Sequence, residues 1–108
     1  MQLDLVQGTL DMLILKALAS GGKHGYAVAR WLEQTTEDVL KVEEGSLYPA
    51  LHRMEKRGWV QSEWGFSENN RRARYYSLTA EGKKQLGKER ATWGVFVEAV
   101  AKVLSAPA

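Results

Sequence analysis

The stretch Gly45-Ser46-Leu47-Tyr48-Pro49-Ala50-Leu51-His52-Arg53-Met54-Glu55-Lys56-Arg57-Gly58 constrains the fold more than any other part of the chain. Leu47, Ala50, Leu51 and Met54 fall at i, i+3, i+4 and i+7, the spacing of one buried helical stripe. Ser46 is placed to accept a backbone N–H as the N-cap, which puts Pro49 in the first turn, where its missing N–H costs nothing. Gly58 supplies the stop. The opposite face carries Tyr48, His52, Arg53, Lys56 and Arg57, with Glu55 its single carboxylate.

Directly after Gly58 the period changes. Val60, Ser62 and Trp64 alternate with Gln61 and Glu63, a strand pattern over Trp59 to Phe66. Ser67-Glu68-Asn69-Asn70 is a turn signal, and Arg71 to Leu78 returns with residues that favour a pleated surface. Thr79 is placed to cap a last helix running to about Leu104, with Gly82 weakening its first turn. Upstream, Gly8-Thr9 marks a helix start with Asp11 in the first turn. Leu10, Leu13, Ile14, Ala17 and Leu18 share one face of that helix, and Met12 and Leu15 widen it. Ser20-Gly21-Gly22 ends it, and a second helix begins near His24-Gly25-Tyr26 with Val28, Ala29 and Leu32 inward. The polar run Gln34 to Asp38 holds the next turn.

Helix, helix, helix, hairpin, helix is a mainly α (α+β) order: a winged helix-turn-helix over residues 1–78 and a C-terminal dimerisation helix over 79–108. At 108 residues there is room for one small core. The chain has 44% hydrophobic and 26% charged residues, a globular composition. A net charge of +2 is weak by itself, so the placement of the basic residues matters more than their total. There is no cysteine, which excludes disulfides and Cys-ligated zinc. His24 and His52 stand alone, so no metal site is expected. No nucleophile–base pair or phosphate-cradling glycine loop is present, and neither an enzyme nor a cofactor is expected. No apolar run reaches the roughly 18 residues of a membrane span, and Met1 to Leu5 lacks a signal-peptide pattern. The expectation is a soluble cytoplasmic protein.

A helix fits the major groove of B-DNA, and a hairpin beside it can rest on the flanking backbone or minor groove. Double-stranded DNA is therefore the expected partner. Three segments resemble the PadR family of bacterial transcriptional regulators. His24-Gly25-Tyr26 resembles the family's opening of the second helix. Gly45 to Gly58, continuing into Trp59-Val60, resembles its recognition-helix block built around Leu-Tyr-Pro. Arg72 to Gly82 resembles its wing strand and the start of the next helix. Met54 and Trp59 stand where aliphatic residues are common, both volume-tolerant exchanges. The length is similar to the short branch with one C-terminal helix. The resemblance implies a nucleoid-associated homodimer on a pseudo-palindromic operator, usually a repressor relieved by a small molecule.

Within that frame Ser46, Tyr48 and Pro49 lie at the leading end of the recognition helix, where base contacts usually arise. His52 and Arg53 follow, and Lys56 and Arg57 sit late enough to meet phosphates. Tyr48 has a competing place in the core. Arg71 and Arg72 are the wing candidates, since Arg74 lies in the strand body where a structural role competes. Tyr26 offers a hydroxyl to a phosphate oxygen, or else closes the second helix onto the core. A solvated charged face is the plainer account of any one of these residues. The two basic clusters, brought together by the fold, favour DNA.

The last helix carries Leu86, Trp93, Val97, Val100 and Leu104 in one stripe, with Phe96 and Val103 beside it. A helix after the wing has little of its own domain left to cover, so the stripe is expected to pair with Leu10 and Leu13 of the first helix on another subunit. In drug-responsive members of the resembled family, a tryptophan on this helix lines a central dimer cavity. Trp93 is the corresponding candidate for a small aromatic effector, and plain interface packing is the alternative. A winged helix also serves as a protein-interaction module or, less aptly, as a ligand carrier. Neither would need basic residues on both helix and wing.

Overall fold

The computed structural model describes residues 9–108. Gly8, paired above with Thr9 at the first helix start, lies outside them. The order is α1 (Leu10–Ala19), β1 (Lys23–His24), α2 (Gly25–Thr35), α3 (Glu44–Lys56), β2 (Val60–Phe66), β3 (Arg72–Leu78) and α4 (Ala80–Ser105). It is an α+β winged helix with a three-stranded antiparallel sheet in the order β1-β3-β2.

The helical stripes read from spacing are the ones that bury. Leu47, Ala50, Leu51 and Met54 of α3 meet Ile14, Leu15, Ala17 and Leu18 of α1 and Val28 and Leu32 of α2 in one core. Val60 and Tyr76 close it from the sheet, and Leu86 closes it from α4. The hairpin register runs from Val60↔Leu78 to Phe66↔Arg72. Its turn is tied by Ser67 N–H to the Arg71 carbonyl at 2.8 Å, with Asn70 left-handed at φ 56°. Arg71 thus belongs to the turn rather than to the strand.

Several local expectations need correction. The N-cap of α3 is Glu43, so Ser46 sits inside the first turn and its N–H bonds the Glu43 carbonyl at 3.0 Å. Buried Val42 brings the chain to the core early, and Glu43 and Glu44 set their negative charge against the positive helix end. Pro49 consequently lies within the helix, beyond its first turn. It leaves the carbonyl of exposed Gly45 without its intrahelical donor. Strand β1 is new; its two residues pair with Tyr76 and Tyr75 of β3.

Gly82 does not weaken the start of α4; it permits it. A Cβ there would stand 2.0 Å from the Trp59 carbonyl oxygen. The Thr79 hydroxyl accepts the Gly82 N–H at 3.0 Å as the cap and donates to the Gly58 carbonyl at 2.6 Å. One side chain thereby ties the start of α4 to the end of α3, where Gly58 turns with φ 77°.

The expectation that α4 has little of its own domain to cover holds only for its far half. The near half packs on α1 of the same chain. Leu86 is 8% exposed, and Leu10 and Leu13 are half-buried against this same core. Leu86 is thus taken up within the chain rather than left for a partner. Beyond it Trp93, Phe96, Val97, Val100 and Leu104 are all exposed.

Candidate nucleic-acid interface

Successive helical residues turn by about 100°, so Pro49, His52 and Lys56 point directly away from the buried stripe of α3. All three are exposed. Tyr48 lies on the flank toward α2, where its ring covers Gly25 so closely that a Cβ there would meet it at 2.6 Å. It remains 44% exposed, which makes it both a packing residue and a surface one. Burial, and then the Glu44 carboxylate, raise the phenol pKa above its ordinary value.

On the other flank the arginines are engaged within the chain. Arg53 pairs with Asp11 of α1, and the Arg57 guanidinium lies over the Trp59 ring at 5.1 Å. Both side chains keep exposed surface. Arg53 would have to share its charge between Asp11 and any phosphate. Among the described residues Lys56 has no ion-pair partner.

The wing and α2 enclose a half-open groove of about 1030 Å³. Lys23, Arg30, Arg71, Arg72 and Arg74 contribute cations to it, against Glu68 as the acid, and Tyr26, Trp31, Tyr48 and Trp64 add aromatic faces. Lys23 is held by the Ala17 carbonyl at 2.8 Å and the Ser20 hydroxyl at 2.9 Å, closing the end of α1. Arg74 is held too: its Nε donates to Ser62 Oγ at 2.8 Å, and its outer nitrogen is 3.6 Å from Glu55. Arg30, Arg71 and Arg72 remain exposed. The start of α2 opens on the same groove, with His24 as its cap; Nδ1 accepts the Ala27 N–H at 3.2 Å. The ring of His24 lies roughly parallel to exposed Tyr26 and edge-on to Tyr75.

Tyr26, Tyr48, Arg71 and Arg72 are therefore gathered on one groove, with Pro49, His52 and Lys56 on the outward face of α3. Arg53 turns to Asp11 of α1, and Arg57 to the Trp59 ring. Arg30 escaped the sequence analysis although it stands four residues after Tyr26 on one helix face, which was the available signal. Among the described residues no cluster of His, Cys, Asp or Glu could hold a metal.

The chain is similar in sequence and fold to known proteins. The transcriptional regulator PadR-like family matches residues 14–88. The chain belongs to that family. A transcriptional regulator from Clostridium thermocellum is 30% identical with a TM-score of 0.82, over 89% of this chain and 93% of that one. A PadR family transcriptional regulator from Eggerthella lenta is 33% identical with a TM-score of 0.80, over 94% of this chain and 86% of that one. An uncharacterized protein from Lysinibacillus sphaericus is 25% identical over 97 residues, 90% of this chain and 89% of its own. The PadR-like match runs from within α1 through the wing and into the near turns of α4. It ends at Lys88, before the exposed apolar stripe begins.

Proposed function

We propose that this PadR-like regulator is a homodimeric repressor of a pseudo-palindromic DNA operator. The leading end of α3, with Ser46, Pro49 and His52, enters the major groove. Tyr26, Arg30, Arg71 and Arg72 hold the flanking sugar–phosphate backbone, and Lys56 meets phosphate further along. The observation that carries the reading is the exposure of the polar face of α3 together with a cationic, aromatic groove that Tyr48 of the same helix helps to line. Each phosphate neutralised by such cations adds about −0.9 to the log–log salt dependence on B-DNA. Fluorescence anisotropy on the protein's own promoter region should show steep salt dependence. Arg72→Ala should flatten the slope by about one unit and weaken all sequences alike. Binding that ignores salt, or no binding at low ionic strength, refutes the DNA reading.

Dimerisation is carried by a second observation. Trp93, Phe96, Val97, Val100 and Leu104 form an exposed apolar stripe on the far half of α4, and a stripe of that kind marks an interaction face. A two-fold axis through it would space the recognition helices by about 34 Å or a multiple of it. Trp93 and Phe96 lie with ring centroids 5.8 Å apart and are both exposed, a surface suited to a planar aromatic effector that releases DNA. The expected setting is the cytoplasm, on the nucleoid.

A further inference from the structure

The hairpin face that enters the core at Val60 and Tyr76 continues outward past it. By the register, Ser62 pairs with Tyr76, Trp64 with Arg74, and Phe66 with Arg72, all on that same face. A continuous chain of contacts follows these pairs. Glu55 of α3 accepts the Ser62 hydroxyl, and Ser62 Oγ accepts the Arg74 Nε–H. The Arg74 guanidinium sits 5.6 Å from the Trp64 ring centre. The Arg72 guanidinium, diagonal to Trp64 in that register, lies over the same ring at 4.4 Å. Trp64 is nevertheless 56% exposed. An indole this open contributes little to the core, so its energetic role has to be sought in what it touches.

We propose that Trp64 is a positioning residue for the wing: its indole, anchored to the recognition helix through Arg74, Ser62 and Glu55, holds the Arg72 guanidinium in the groove where a DNA backbone would pass. This rests on the DNA-binding reading above and extends it to a residue with no charge of its own. Two physical effects support it. An arginine side chain loses rotamer freedom when it is fixed; stacking on Trp64 incurs that loss before DNA arrives. The anchor at Glu55 also makes the wing and α3 turn together, so that a phosphate contact by Arg72 and base contacts by α3 are made in one register.

The test is a double-mutant cycle of Trp64→Ala and Arg72→Ala, read as duplex affinity by anisotropy at fixed salt, with Trp64→Phe as the conservative variant. An exposed cation–π contact accounts for about a two- to fivefold change, so Trp64→Ala should weaken binding by about that factor. In the Arg72→Ala background it should change affinity hardly at all, and Trp64→Phe should recover most of the loss. In the free protein, NMR should place the Arg72 side-chain protons upfield in the indole ring current, and Trp64→Ala should remove that shift. The same twofold or larger loss in both backgrounds, or no loss in either, overturns the positioning role while leaving DNA binding intact. Failure of the parent protein to bind any duplex removes the DNA reading and this inference with it.

Discussion

Gly82→Ala should destabilise the fold even though alanine is the better helix former. In an open helical position the exchange gains about 1 kcal/mol. At Gly82 the new Cβ would stand 2.0 Å from the Trp59 carbonyl oxygen and 3.0 Å from Leu78 Cδ2, against 3.4 Å for ordinary contact. The carbonyl cannot simply retreat, because it accepts the Thr79 N–H at 3.1 Å, a bond whose net value is about 1 kcal/mol. Overpacking of this kind costs about 1–3 kcal/mol. With the helical gain and the hydrogen bond roughly cancelling, the net loss is about 1–3 kcal/mol. For a chain of this length that lowers Tm by roughly 4–15 °C. Gly87 on the same helix has nothing within 4 Å of its would-be Cβ, so Gly87→Ala should raise Tm by a few degrees. Thermal melts by circular dichroism at one fixed protein concentration compare the two. If Gly82→Ala melts at or above the parent, α4 is not seated against Trp59 as described.

Two more outcomes follow from the same structure. Burial first, and then the Asp11 carboxylate, raise the pKa of Glu89 above its ordinary value, and its Oε2 is buried with no hydrogen-bond partner among the described residues. A raised acid favours folding most below its unfolded pKa and loses that contribution as pH climbs toward the folded one. Glu89→Gln should therefore melt above the parent at pH 7 and close to it at pH 4; a lower melt at pH 7 contradicts the assignment. Trp93→Ala should abolish any response to planar aromatic compounds while sedimentation still shows a dimer that binds DNA. If it yields monomer instead, Trp93 is interface packing.

The parts of the fold legible in the sequence were those written in local periodicity. Leu47, Ala50, Leu51 and Met54 occur at one helical spacing and share one buried face. The change to alternation after Gly58 announced the hairpin, and Thr79 caps the helix it was assigned. What escaped depends on partners distant along the chain. Arg53 looked free because Asp11, its ion-pair partner, lies 42 residues away. Gly82 looked like a weak helical residue because propensity counts only neighbours, not the Trp59 carbonyl packed against it. The two-residue β1 has no period to detect, and it exists only because β3 offers an edge to Lys23 and His24. Leu86 shared a spacing with Trp93, yet the core of its own chain takes it up. Arg30, by contrast, is legible in the sequence, since it shares a helix face with Tyr26 four residues before it.

Helix α4 is 26 residues long, fixed to the winged unit at Thr79 and Leu86 and carrying its apolar stripe from Trp93 onward. Both ends lie on one rod, so their relative azimuth is counted in residues. Inserting one residue between Leu86 and Trp93 would swing the distal stripe by about 100° and advance it by about 1.5 Å. Inserting seven would turn it through about 700°, within about 20° of two full revolutions, and lengthen the rod by roughly 10 Å. In the proposed dimer, then, the length of this helix can change only in quanta. Single insertions would point the two reading heads away from a common DNA face, whereas heptads would carry the whole assembly to a differently spaced pair of half-sites.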